Sequence, residues 1–354
     1  MSPMEARQAL ERNDPTPFRR EPLPLPPANL CHRLITAKVL ASLHNRRLID
    51  VVMQQWPSDK LIERAVASPA MTSVAGWAQE LARKLTIDTL DALGAASAAG
   101  QVLKECMVLN WGGAGILSVP TFVASASNGS FVQEGQPIPV RQLSSTAVQL
   151  TPFKLASIAV LTREMIESSN AEVLIGDALV RSAALAADAV LFGSGAATAA
   201  QPAGLRLGVV ASTPSASTDP FGAFFEDMAT LINAVSAVSG NGRVLLVANP
   251  GRVAGMRARY VGAEPNVTVM GSTAVGSDVL AIAPVGVVAA LDPAPDVETS
   301  DTGAIVMDTA PGTPGTMTER SLFQTDAIAL KARWPISWAP RDPRAVAWLT
   351  PAWK

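Results

Sequence analysis

Four groups of residues in this 354-residue chain have types and spacings that could do chemistry. The first is the stretch from Asp188 to Leu205, DAVLFGSGAATAAQPAGL, where Gly193 and Gly195 begin a G-x-G pattern suited to cradling phosphate. Thr198 stands where the third glycine would fall, no strand precedes the loop, and the chain has no Gly-Lys pair. Neither a dinucleotide fingerprint nor a P-loop is complete, and the stretch reads as the stop of a long helix. The second group is Cys31, His32, His44 and Cys106, too few and too poorly spaced for the three or four ligands of a zinc site. A buried thiol and an ordinary surface histidine are the plainer reading of Cys31-His32. The third is the acidic segment DVETSD, whose Asp296, Glu298 and Asp301 could offer oxygens to a hard cation but lack the spacing and glycine of an EF-hand. The fourth would be a nucleophile with its base. No G-x-S-x-G elbow exists, and both histidines lie near the N-terminus, away from the strand-rich body. The expectation is therefore no catalytic residue, no cofactor, no metal and no enzyme.

The elements that would position such residues follow from periodicity. Seven of the first 27 residues are proline, ending in RREPLPLPP, an extended arm or linker. From Leu30 to Leu93 the spacing turns helical, with Ile35, Val39 and Leu43, then Trp77, Leu81, Leu85 and Leu90. After Trp111–Gly115 come strands: LSVPTFV, SFVQEGQPIPV and STAVQLTPFKLASIAVLT. The polar middle, with the turn pair Asn128-Gly129, predicts a two-stranded excursion that must lie on something else, because such a ribbon is marginal alone in water.

Ser169-Asn170-Ala171-Glu172 has capping-box spacing and opens a helix over 170–192. Its apolar stripe is Ile175, Leu179, Ala183, Ala186 and Val190, widened by Leu174, Ala178, Leu185 and Phe192, with Asp177 and Arg181 paired on the opposite face. A second helix, FGAFFEDMATLINAVSAVS, sets Phe221, Phe225, Met228, Ile232 and Val235 on one side. Strands RVLLVANP, VTVM, VLAIAPVGVVAAL and AIVMDT follow, around a short helix from Pro250, and LFQTDAIALKARWPISW closes the pattern. Helices and strands mix without βαβ repetition, so the expected class is α+β.

Composition narrows the function classes. Charged residues are 16% of the chain, against roughly 25% in ordinary soluble domains, and hydrophobic residues are 48%. A weakly charged surface suits a protein largely covered by copies of itself. Net charge is −2, which argues against a strongly basic nucleic-acid binder. Residues 1–70 hold ten Lys/Arg against seven Asp/Glu, a local +3. The longest uncharged apolar run, Val279–Leu291, covers 13 residues with Pro284 and Gly286 inside it, too short for a bilayer, so no membrane partner is expected. Two cysteines make no disulfide framework, and the first residues lack the apolar core of a signal peptide.

Taken in order, FVQEGQPIP, TPFKLASIAVLTREMIESSNAEV, the long capped helix, LFGSG…QPAGL and LFQTDAIALKARWPISWAPRDPRAVAWL resemble the major capsid proteins of tailed bacteriophages and prophages, of the Hong Kong 97-type fold, over about residues 70–354. The resemblance implies a domain plan. Residues 1–70 would be an N-terminal, scaffold-like arm, 71–117 connecting helices, 118–150 the extended β-loop and 151–219 a peripheral domain with the spine helix 170–192. Residues 220–315 would be an axial domain, and 316–354 the C-terminal return to the peripheral domain. It implies inter-subunit contacts at Phe131, Val132, Glu134, Gly135 and Ile138 of the loop. It further implies a virion location after assembly in the bacterial cytoplasm, and pentamers and hexamers of the chain itself as the main partners. A prohead protease, a portal, a scaffold and non-specific contact with packaged DNA are further expectations.

Two departures follow. Some members crosslink a lysine of the extended loop to a neighbour's asparagine, but this loop has Arg141 and no lysine between Lys104 and Lys154. Residues 1–70 match nothing in the resemblance. The alternatives are an encapsulin-like compartment shell and, in another class, a soluble metal-dependent α+β hydrolase using the acidic segment.

Overall fold

The structure is a computed structural model. It describes residues 30–43, 46–57, 90, 93–94, 97–112, 115–122, 131–134, 145–164, 171–259, 266–292, 295–307 and 318–353. The predicted helix around Trp77–Leu85, the cap Ser169-Asn170 and the proline-rich start lie outside these residues, as do Gly135 and Ile138.

Helices and strands are mixed, so the α+β expectation holds. The N-terminal helices are α1 (Leu30–Leu43), α2 (Leu48–Gln55) and α3 (Ala98–Glu105). A short strand β1 (Met107–Leu109) leads to β2 (Leu117–Phe122), β3 (Ser145–Leu150) and β4 (Phe153–Thr162). The long helix is α4 (Ala171–Leu191), and α5 (Pro220–Ser239) follows a connecting loop. Then come β5 (Val244–Ala248), α6 (Pro250–Arg259), β6 (Val267–Gly271), β7 (Val279–Ile282) and β8 (Val287–Leu291). The chain closes with β9 (Asp296–Ser300), β10 (Ala304–Met307), β11 (Thr318–Ser321), β12 (Ala327–Pro340) and β13 (Val346–Leu349).

Two larger sheets carry the body. In the first, the 14-residue β12 pairs antiparallel with β4 along one edge. On its other edge it pairs with β9 from Ala329 to Arg333 and then with β8 from Ile336 to Pro340, the change falling at Pro335, which has no N–H to donate. Strand β1 extends β8 in parallel. The second sheet runs β13-β7-β5-β6. All five residues of β5 are buried, and they alternate: Leu245 and Val247 enter the core between the sheets, while Val244, Leu246 and Ala248 pack under α5 and α6. Burial on both faces explains why RVLLVA reads as an unbroken apolar run.

The run Val279–Leu291 is two strands belonging to different sheets, β7 and β8, joined by a 3-10 turn at Pro284–Gly286. A Cβ on Gly286 would lie 2.5 Å from the Ala345 Cβ and 2.6 Å from Val238 Cγ1, so the crossing needs glycine for close approach. The last strand β13 joins β7 in the second sheet, so residues 318–353 contribute strands to both sheets.

Helix stripes are displaced from the sequence expectation. On α4 the buried residues are Leu179, Val180, Ala183, Ala184, Ala187, Asp188, Leu191 and Phe192, while Leu185 and Ala186 face outward. An alanine-rich helix has a weak apolar contrast, and the stripe shifts by one residue to follow what it packs on. On α5 the core face is Phe224, Asp227, Met228, Leu231 and Val235, whereas Phe221 and Phe225 are exposed and meet edge to face at 4.9 Å. That helix is long and apolar enough to cross a bilayer by composition, yet its apolar face is seated on the second sheet, with Asp227 buried in it.

Candidate functional site: the projecting ribbon and its root

The predicted excursion exists as a two-stranded ribbon. Strands β2 and β3 pair antiparallel over six positions, from Leu117 opposite Leu150 to Phe122 opposite Ser145. Its root is fixed by a small core of Trp111, Val119, Leu150, Val288 and Ala290, with Leu109, Leu117, Val148 and Ala339 packed against it. The outward residues of β8, Val288 and Ala290, supply two of its five buried residues, since Val287, Ala289 and Leu291 point into the main core instead. Trp111 adds a hydrogen bond from its indole Nε1 to the Pro335 carbonyl at 3.1 Å. The body is thus the support that a lone ribbon needs.

The far end is bare. Phe131, Val132, Gln133 and Glu134 are all exposed, and Phe131 is fully so. Of the five residues expected at an inter-subunit contact, these include Phe131, Val132 and Glu134; Gly135 and Ile138 lie outside the described residues. Sequence reading missed the root, because Trp111, Val119 and Leu150 are distant in the chain and belong to different motifs. The indole of Trp111 beside a glycine pair was the available signal.

The residues first considered for chemistry are occupied otherwise. The glycine loop folds back onto the end of α4: Leu205 N–H donates to the Leu191 carbonyl and Arg206 N–H to the Gly193 carbonyl. A Cβ on Gly204 would lie 2.1 Å from the Gly193 carbonyl oxygen, so this closure is specific to glycine. The loop is then strapped to both sheets, by Trp338 Nε1–H to the Ala203 carbonyl and Trp348 Nε1–H to the Val209 carbonyl, both at 2.9 Å. Arg206 lies 3.9 Å over the Trp348 ring and pairs with Asp278 at 2.7 Å. Asp188, in the stretch that suggested a phosphate loop, is buried and accepts from Ala99 N–H at 2.7 Å and Ser272 Oγ–H at 2.6 Å.

Most of the acidic segment is strand β9, where Asp296 and Glu298, two residues apart, share one face; Asp301 lies beyond the strand's end. Asp296 pairs with the directly opposed Arg333 at 2.5 Å, and Glu298 with the directly opposed Lys331. Two of the three carboxylates the hydrolase alternative needed as metal ligands are thus already paired with cations. Cys106 is buried and donates its Sγ–H to the Val102 carbonyl; burial, with Glu105 beside it, pushes the thiol up to about 12. It stays a protonated, unreactive thiol at neutral pH.

An α+β body with an anchored ribbon and an exposed Phe131–Glu134 segment between its strands suits a protein that works by contact. The particular family follows from comparison: the phage capsid family model matches residues 92–350, and the chain belongs to that family. The capsid polyprotein of Pseudomonas phage PAJU2 is 30% identical over 329 residues, covering 83% of this chain and 48% of that protein. The chain therefore spans about half the length of that curated relative. Among solved structures, the virus-like particle from Pyrococcus furiosus is similar with TM-score 0.44 and 15% identity, over 76% of this chain and 99% of that one. A structure from Mycobacterium phage Cain gives 0.45 and 15%, over 71% and 89%.

Proposed function

We propose that the chain is the repeating subunit of an icosahedral phage or prophage shell enclosing DNA, of the Hong Kong 97 type and without catalysis of its own. Family membership carries this reading, and the anchored ribbon with its exposed Phe131–Glu134 segment supports it. On this reading residues 118–150 are the extended loop, α4 is the spine helix of a peripheral domain at 151–219, and 220–315 form the axial domain. Phe131, Val132, Glu134, Gly135 and Ile138 meet a neighbouring subunit in pentamers and hexamers. A prohead protease, a portal and a scaffold are the expected further partners, and assembly takes place in the host cytoplasm. Residues 1–70 direct assembly or are trimmed afterwards, which is in keeping with the polyprotein name of the Pseudomonas phage relative. The matched family is that of phage capsids, and no observation favours a compartment shell instead.

Electron microscopy of the purified protein tests the proposal. Closed shells tens of nanometres across are expected, and a small discrete oligomer under all assembly conditions would refute it.

A further inference from the structure

The 3-10 turn that carries the chain between the two sheets also forms a surface. Val285, at its tip, is 58% exposed, and Met107 at the start of edge strand β1 is 43% exposed. Arg341 binds them together: its N–H donates to the Gly286 carbonyl at 2.7 Å, and its guanidinium reaches Met107 Sδ at 3.6 Å. Arg243 and Arg344 stand alongside, on the neighbouring Gly242–Arg243 turn and the 3-10 turn Pro343–Ala345 packed on Gly286.

The carboxylates of this surface are already engaged. Glu105 pairs with Arg243 at 2.9 Å, and Asp342 with Arg344 at 2.7 Å. Arg341 has no carboxylate partner among the described residues, and its Nε is buried without a hydrogen-bond partner. A guanidinium whose one polar-side contact is a thioether is poorly satisfied. The surface therefore presents two apolar side chains beside one cation with free capacity.

The ribbon turn is its complement. Phe131 and Val132 are exposed apolar side chains, and two residues on stands Glu134, also exposed and with no ion pair among the described residues. A groove that holds another cation, Lys154, has Asp292 and Asp296 in its lining, and these would repel an incoming carboxylate. We propose that the segment Phe131–Glu134 of one copy docks on the surface of Val285, Met107 and Arg341 of the next copy, with Glu134 meeting Arg341. Donor and acceptor surfaces differ but lie on the same chain, so the contact is heterologous, the kind that builds rings where its rotation closes. The inference rests on the shell reading and names the surface that receives the ribbon.

The test places a benzophenone amino acid at position 131 of the full chain, irradiates the assembled particles and maps the crosslinked peptides. Crosslinks between chains to Met107, Val285 or Arg341 are expected, and shells crosslinked only elsewhere, or not at all, overturn the contact. In parallel, E134R and R341E each place like charges together and should cut particle yield roughly tenfold or more, while the double charge swap should restore it. Circular dichroism separates misfolding from lost assembly, and the crosslink map stands even if R341E misfolds. Unchanged yield in folded single variants overturns the contact while leaving the shell reading intact. A wild-type chain that stays monomeric overturns both.

Discussion

Strand β5 and the β2–β3 ribbon are both extended chain, and they are used in opposite ways. The five residues of β5 are buried on both faces, and both of its edges are paired, to β6 and β7. The ribbon packs on the body through Val119 and Leu150, and Phe131, between its two strands in sequence, is uncovered. The chain thus separates the residues that keep it folded from those offered to another molecule. Substitutions in the first region should register in stability and those in the second in assembly.

The largest effect should come from Leu246→Ala in β5, which empties a site closed over by α5 and α6. A loss of about 2–5 kcal/mol in denaturant unfolding is expected, and a loss under ~1 kcal/mol would break the distinction. Gly204→Ala comes next. Its new methyl would press on the Gly193 carbonyl oxygen, at a cost of about 1–3 kcal/mol read as a lower melting temperature. Trp111→Phe keeps the ring at the ribbon root but removes the hydrogen bond to Pro335, worth about 1 kcal/mol. Hydrogen exchange should then quicken in β2 and β3 while the β5 amides keep their protection, and uniform quickening would mean the root belongs to the main core.

A smaller effect concerns acid. The Arg344 guanidinium bonded to Asp342 holds that carboxyl below its ordinary pKa. A depressed folded-state value gives stability that is present above the ordinary carboxyl range and lost as pH falls through the depressed one. Asp342→Asn should therefore lower the melting temperature at neutral pH and flatten its fall in acid, and parallel acid curves would contradict the pairing. The smallest effect on folding belongs to Phe131→Ser, within about ±0.5 kcal/mol of wild type, while particle yield falls.

Much of the secondary structure was legible, because β5, β12 and the ribbon strands carry strong patterns of their own. The α4 stripe was legible only to within one residue, since Ala183, Ala184, Ala186 and Ala187 offer the same side chain to either face. Phe221 and Phe225 were misplaced for a different reason. Periodicity assigns large apolar residues to a core, whereas here Phe224 fills the core position and its neighbours face out. The acidic segment suggested ligands because composition was visible and cross-strand pairing was not; the partners Lys331 and Arg333 lie more than thirty residues further on. At the ribbon the paired strands could be read from their own residues, while the expected turn Asn128-Gly129 lies outside the described residues. The ribbon's root could not be read so, being assembled from Trp111, β2, β3 and β8.

Strand β8 has a mechanical consequence. One face of it holds the main core and the other seats the ribbon root, while its edges are bonded to β1 and β12. The ribbon's seat therefore lies on an inner strand, not at the rim of the sheet. The ribbon meets β8 through apolar side chains and forms a sheet of its own, so a pull lifts Val119 and Leu150 off their seat while the ladders on both sides of β8 stay in place. A subunit tugged by its neighbours through this arm should stretch the ribbon first and yield its body last.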